Sequence, residues 1–460
     1  MPLAVPAAAA AVVYVLHGVT GGQLNPLVSV GLAALKVVER SEAVWCVVGQ
    51  VAGSCLGIVG CALALGEVRS VVPRDDVTLL QSAVVEVVGT CVVVSCILHC
   101  SYARPGPSAG VAATVVGGAL LGCSNCGHWV SRAWFNPALA LGLDMARAVQ
   151  GLSVGWGFVY WGWFFAGAVI ALICYKLIRP RVFRRGVNPP PTTTAILAAE
   201  FVGVYTTTFF IVLGICFGPK AHLGPEAGAL YASMLFAVGD VAWGCFNPGV
   251  AVGRALWRLA RPSAPAPEGE ARVTPQNSRG ELSRAEMSVD SWKRDPTAGV
   301  ATVVVVQVLG GVLASVTALG IVGHAPPLQP PDVDWRTPAV VEGGCTLVLV
   351  LAALVGGQGA PAAMGAVLVV AGSAPQLAIG IVNPATSVGI DVALALLHGK
   401  IPWIAAIYAA AQLVGALAAV GIALLVPFVA VPQSVESSLQ DRSGRSLASM
   451  HGVERSQSFA

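Results

Sequence analysis

Asn136-Pro137-Ala138-Leu139-Ala140-Leu141-Gly142 is one of four copies of a pattern: Asn-Pro, four residues, then Gly. The others are Asn25-Pro26-Leu27-Val28-Ser29-Val30-Gly31, Asn247-Pro248-Gly249-Val250-Ala251-Val252-Gly253 and Asn383-Pro384-Ala385-Thr386-Ser387-Val388-Gly389. Asn is a good helix N-cap, and Pro at the first helical position gives up only an N–H that would lack an intrahelical partner anyway. Each copy follows a Gly-containing polar stretch and opens a segment of helical pattern, so each is read as a helix start. Soluble proteins contain such starts singly. Four of them, each deep in an apolar context, decide the fold.

The composition says where those starts lie. Of 460 residues, 56% are hydrophobic and 11% charged, and the mean hydropathy is +0.76. Soluble domains carry about a quarter charged residues, so the chain reads as an integral membrane protein, with lipid as its first partner. Its 53 glycines favour close helix packing through small residues. A net charge of +3, without basic clusters interleaved with aromatics, excludes nucleic acid as a partner. The twelve cysteines sit mostly in apolar runs, as Cys46, Cys55 and Cys61 do, and read as small buried hydrophobes. Cys123 and Cys126 form the one Cys-x-x-Cys pair, with no second pair to complete a zinc site, so neither metal nor cofactor is expected. No nucleophile arrangement or phosphate loop points to an enzyme. No Asn-x-Ser/Thr acceptor occurs, and the apolar N-terminus lacks the basic flank of a cleavable signal peptide.

Spans are expected near 3–19, 43–65, 78–99, 108–124, 155–178, 194–217, 226–243, 297–322, 337–355, 361–378 and 402–428. Most approach the ~20 residues that cross a bilayer. The four Asn-Pro segments are shorter and suit half-membrane helices. The chain also repeats. Gln50 and Glu86 follow Asn25 in the order in which Gln307 and Glu342 follow Asn247, and each series ends on another Asn-Pro. The predicted organisation is one unit over 1–180, a linker 181–192, a second unit over 193–430 interrupted by a polar insert 258–296, and a polar tail 431–460. The linker bases Lys176, Arg179, Arg181, Arg184 and Arg185 and the basic insert place both segments on the cytoplasmic side by the positive-inside rule, with the C-terminus alongside them.

With these residues in hand, the chain resembles the major intrinsic protein family, the aquaporins and aquaglyceroporins. Thr20-Gly21-Gly22-Gln23-Leu24-Asn25-Pro26 is similar to that family's first re-entrant loop. Ala199-Glu200-Phe201-Val202-Gly203 is similar to the start of its first span. The resemblance covers about 1–178 and 193–430. It implies an all-α polytopic membrane protein of two tandem aquaporin-like units, each an inverted repeat with two re-entrant half-helices. Asn25 would face Asn136 and Asn247 would face Asn383, with Pro26, Pro137, Pro248 and Pro384 opening the half-helices. Glu86, Glu200 and Glu342 would be structural carboxyls bonded to loop backbone, rather than proton carriers. The family also implies homo-oligomers, so two chains would supply four units. The physics agrees. Irregular backbone at membrane depth is tolerated where it is buried or lines a watery cavity. A helix N-terminus concentrates about half a positive charge, so two that meet repel cations.

The chain departs from the family pattern in three ways. The leading unit has no counterpart of the span that carries Glu200, which is expected to reflect a truncated first unit. The arginine that follows the family's second Asn-Pro-Ala is replaced by Leu139 and Thr386. The other filter positions fall at Ala133, Ser124 (or Cys123) and near Val5 in the first unit, and at Gly380, Ala371 and Ala227 in the second. Such small, apolar residues imply a filter wide enough for glycerol as well as water. Arg132 reads as a loop cation beside the first filter, and His17 and His128 as satisfied loop histidines. Finally, the first motif of each unit is altered, to Asn25-Pro26-Leu27 and Asn247-Pro248-Gly249. Trp156, Tyr160, Trp161, Trp163, Phe164 and Phe165 read as an interfacial belt and packing surface. The expected function is passive transport of water or small uncharged solutes. The alternatives are a non-conducting membrane scaffold or adhesion protein, and an ion-coupled carrier that uses the buried carboxyls.

Overall fold

The structure is a computed structural model that describes residues 3–66, 71–102, 108–179, 191–217, 223–243, 245–260, 296–326, 328, 333–399 and 403–425. Most of the expected linker 181–192 and insert 258–296, and all of the tail 431–460, lie outside those residues. In the first part of the chain the helices are α1 (Ala4–Thr20), α2 (Pro26–Ala34), α3 (Arg40–Leu65), α4 (Leu79–Tyr102), α5 (Ala109–Ser131), α6 (Pro137–Val149) and α7 (Trp156–Ile178). The second part holds α8 (Thr193–Phe217), α9 (Leu223–Val238), α10 (Pro248–Ala260), α11 (Pro296–Val322), α12 (Arg336–Val355), α13 (Ala360–Gly372), α14 (Pro384–His398) and α15 (Ile404–Leu425). Every expected span corresponds to a helix, and each of the four Asn-Pro motifs opens one.

Eight of these helices are long and apolar enough to cross a membrane: α3, α4, α5, α7, α8, α11, α12 and α15. The chain is accordingly an integral membrane protein. The remaining three expected spans are shorter, with 17 residues in α1, 16 in α9 and 13 in α13. For α13 the physical reason is visible. The sequence pattern runs on to 378, but the helix stops at Gly372, and the chain turns so that the N–H groups of Gly380, Ile381 and Val382 reach Glu342.

The same packing pairs recur along the chain. In the first part α1 lies on α5, α3 on α6 and α4 on α7; in the second, α9 lies on α13, α11 on α14 and α12 on α15. In addition α8 packs along α11. Nothing among the described residues packs in that way along α3. Only 6% of the apolar window of α3 is buried, against 72% for α8. Gly310, three residues after Gln307, lies against Phe201 and Val204 of α8, whereas the space beside Gly53, three residues after Gln50, is open.

The two parts meet where α9 packs on α5, flanked by contacts of α8 with α5 and α7. Small residues allow the approach: Gly118 faces Ala229 and Ser233, and Gly122 faces Leu230 and the Glu226 carbonyl. At one end of this seam Arg179, just past α7, binds Asp240 in bidentate fashion at 2.8 and 3.0 Å. It also donates to the Ala237 carbonyl at 3.3 Å and to His99 Nδ1 at 3.1 Å. The guanidinium is 6% exposed and Asp240 is 58% exposed. Arg179→Ala should therefore cost about 1–2 kcal/mol, below the full value of a buried charged bond because Asp240 stays solvated. Thermal unfolding in detergent should show a lower midpoint for Arg179→Ala than for Asp240→Asn.

Candidate functional site

Each of the four asparagines does two things with one side chain. Asn25, Asn136 and Asn383 have extended backbones, with φ of −143°, −145° and −143°. Each side-chain oxygen caps its own helix, accepting from Leu27, Ala138, Gly249 and Ala385 N–H at 3.0, 3.0, 2.8 and 3.0 Å. That leaves the amide nitrogen free to reach across. Asn25 Nδ2 donates to the Phe135 carbonyl at 2.9 Å, and Asn136 Nδ2 donates back to the Leu24 carbonyl at 2.9 Å. In the second part Asn247 donates to Val382 and Asn383 to Phe246, both at 2.8 Å. The pairing read from sequence is therefore brought together twice, α2 with α6 and α10 with α14.

The accepting carbonyls belong to the residues that precede the asparagines. All four of these are bulky and left-handed: Leu24, Phe135, Phe246 and Val382, with φ of 51°, 50°, 62° and 50°. Such a conformation costs roughly 1–2 kcal/mol per residue outside glycine, so something must hold it. Buried carboxylates do so for three of the four. Glu86 accepts from Trp134 and Phe135 N–H at 3.1 and 3.0 Å. Glu200 accepts from Phe246 N–H at 2.9 Å and from Gln307 Nε2 at 2.8 Å. Glu342 takes Gly380, Ile381 and Val382 N–H at 2.9, 2.9 and 2.6 Å, and Gln412 Nε2 at 2.9 Å. Gly89 and Gly203 sit three residues beyond Glu86 and Glu200 and let the Phe135 and Phe246 rings press onto their helices; a Cβ at either glycine would lie 2.1 Å from the ring.

The fourth loop, Thr20 to Asn25, has no carboxylate bonded to it among the described residues. Gln50 Nε2 donates to Ser29 Oγ at 2.9 Å, much as Ser387 bonds Gln412 at 3.2 Å, but the Oε1 atoms of Gln50 and Gln23 have no partner among the described residues. The buried Asp144 and Asp391, midway along α6 and α14, cap the following helices instead: Asp144 accepts from Gly155 and Gly157, and Asp391 from Ala406.

Where α2 and α6 abut lies a cavity of about 1000 Å3. Asn25, Asn136, Ser124, Ala133 and Leu139 all line it, so the first set of sequence-derived filter positions converges, with Val5 joining them. His128 and Arg132 also face it; Arg132 ends α5 at φ 72°, and its Nε has no partner among the described residues. Asn125, Trp129 and Glu226 were not foreseen as lining residues, since no local pattern marks them. The second set is more dispersed. Gly380 packs on Ala371, and Ala227 is buried on α9, but Thr386 is fully buried with its hydroxyl 2.7 Å from that of Thr208. The aromatic cluster divides as well. Tyr160 and Phe164 are buried, with Tyr160 bonding the Ser131 carbonyl at 3.1 Å, whereas Phe165 is exposed. All twelve cysteines are free, and no group of three metal-ligating side chains occurs among the described residues.

Residues 1–175 match the sequence model of the family described as Major intrinsic protein. The chain is also 25% identical over 180 residues to Aquaporin AqpM of Methanothermobacter marburgensis, an alignment covering 37% of this chain and 73% of that protein. No solved structure matches the chain. The matched family comprises channels rather than enzymes, and the reading of the chain as a non-enzyme stands on that match. The match covers α1 to α6 and most of α7; the second part carries Asn caps and carboxylate contacts of the same kind.

Two substitutions probe the site directly. Asn136→Ala removes a cap and a cross-loop bond together, for an expected loss of about 1–3 kcal/mol. Gly89→Ala drives a methyl into the Phe135 ring and should lower the unfolding midpoint at least as far, while alanine at the open Gly53 leaves it within a degree or two.

Proposed function

We propose that the chain is a membrane channel of two tandem aquaporin-like units, over about 1–180 and 193–430, passing water and small uncharged solutes such as glycerol. The observation that carries this reading is the exchange of Asn side chains between abutting helix N-termini, made once in each unit. In each unit two short helices point their N-termini at one another. Each N-terminus concentrates about half a positive charge, so the meeting point disfavours cations and protons while admitting neutral molecules. Each Asn amide carries two N–H groups. One is spent on the opposite carbonyl, and the second is available to a passing oxygen. α2, α6, α10 and α14 are on this reading re-entrant half-helices, and Glu86, Glu200 and Glu342 are the latches that hold their approach loops. The walls at Ala133, Ser124 and Leu139 are small or apolar, which favours polyols alongside water.

On the same reading the linker and C-terminus are cytoplasmic, and two chains associate to place four units together. A second reading, a non-conducting scaffold, draws on Thr386: in the second unit this filter position is sealed against Thr208, which suits a pore that is closed.

Stopped-flow osmotic assays on proteoliposomes test the proposal, with sucrose and then glycerol as osmolyte. The wild-type chain should raise water permeability above empty vesicles, and volume should recover in glycerol. Leu139→Trp narrows the first cavity beside the Asn25–Asn136 pair and should remove most of that flux. Wild-type protein, inserted and folded, that gives no permeability above lipid alone would leave the scaffold reading standing.

A further inference from the structure

The first cavity is not lined by the first part of the chain alone. Glu226, in the first turn of α9, reaches it from the second part and is 4% exposed. Its position is set by the seam rather than by the cavity. Cys126 on α5 donates to Glu226 Oε2 at 3.6 Å. On either side α9 is pinned: Gly224 lies against the backbone of α13 at Val369 and Ser373, and Leu230 lies against Gly122 of α5. The side chain is bonded from α5 while its helix is packed on both sides, so its place in the cavity wall is tied to the position of α9.

Of the residues that line the cavity, Glu226 and Arg132 are the two that carry formal charge. A membrane-buried carboxylate costs several kcal/mol unless it is satisfied or used. What the pair supplies is an acceptor and a donor on otherwise apolar walls. A carboxylate accepts at several lone-pair sites and a guanidinium only donates. A small neutral molecule with several N–H or O–H groups satisfies the acceptor better than a single water.

We propose that Glu226 is a solute-selecting residue of the first cavity, donated across the seam by the second part of the chain, and that it favours small neutral solutes bearing several hydrogen-bond donors, for which glycerol and urea are the probes. This inference rests on the channel reading above. It makes the first pore a composite site whose chemistry depends on α9.

The test uses the full chain in proteoliposomes and reads the flux that Leu139→Trp removes, which isolates the first cavity. In Glu226→Gln, which keeps the shape and the bond to Cys126, the glycerol-to-water and urea-to-water permeability ratios of that component should fall about threefold to tenfold, the effect of exchanging a charged hydrogen bond for a neutral one. Water flux should stay within about twofold of wild type on the same reasoning. Glu226→Asp, which keeps the charge but retracts it, should give intermediate ratios and carries the test if the glutamine variant does not insert. Ratios equal to wild type in these variants, with the Leu139→Trp-sensitive flux intact, would overturn the role of Glu226 and leave the channel reading in place. If the wild-type chain conducted but Leu139→Trp removed none of that flux, the first cavity would not be the path and the role of Glu226 would fall alone; a wild-type chain with no permeability above lipid would take the channel reading with it.

Discussion

Two helix N-termini can abut in a low-dielectric interior only if something other than water satisfies their amides and ties them to each other. Here a single residue type does both. The Asn oxygen caps its own helix while its nitrogen bonds the carbonyl preceding the opposite helix, and the exchange is reciprocal in both parts of the chain. The geometry is demanding. The accepting carbonyl must be turned toward the partner, which places Leu24, Phe135, Phe246 and Val382 in a left-handed conformation that bulky residues avoid. The buried carboxylates, the glycines under the two phenylalanine rings and the glutamine relays all follow from the need to hold those four residues.

Those supports are unevenly distributed. Glu342 gathers three backbone amides and a glutamine, Glu86 two amides, and Glu200 one amide and a glutamine. The Thr20–Asn25 loop lacks a carboxylate among the described residues, and its helix neighbour α3 shows an open face at Gly53 where α11 is covered by α8. These two facts have one origin. The helix that carries Glu200 also covers Gly310, so one element supplies both the latch and the lid in the second part. Local stability is set by how many interactions must break together, and by that measure the first loop is the weakest of the four.

Much of this was legible in the sequence because the relevant signals are local or repeat at fixed order. Asn-Pro at a helix start identifies itself, and an intramembrane Glu must have a partner, so the caps and the latches could be named before their contacts were known. The apolar lengths located the helices, but the end of α13 was misjudged: hydropathy does not register that Gly380 to Val382 leave the helix to meet Glu342. The first set of filter positions converged on the cavity, whereas Thr386 turned to Thr208, 178 residues away, a pairing no window detects. Glu226 was invisible for the same reason. Its significance depends on which helix lies beside α5, and that is a property of packing between distant segments.

The seam between α5 and α9 also has a consequence for assembly. Ordinarily two membrane-embedded helical bodies must find each other in the bilayer, and the interface must repay the loss of free motion before any polar group is buried in it. Here both surfaces lie on one polypeptide, so their encounter is intramolecular and the local concentration of one for the other is high whatever the expression level. An interface relieved of that entropic burden can hold Glu226 and the Arg179–Asp240 pair, groups that would weaken a dissociable contact. Covalent continuity also fixes the ratio of the two parts at one to one, so neither can be exchanged for another subunit.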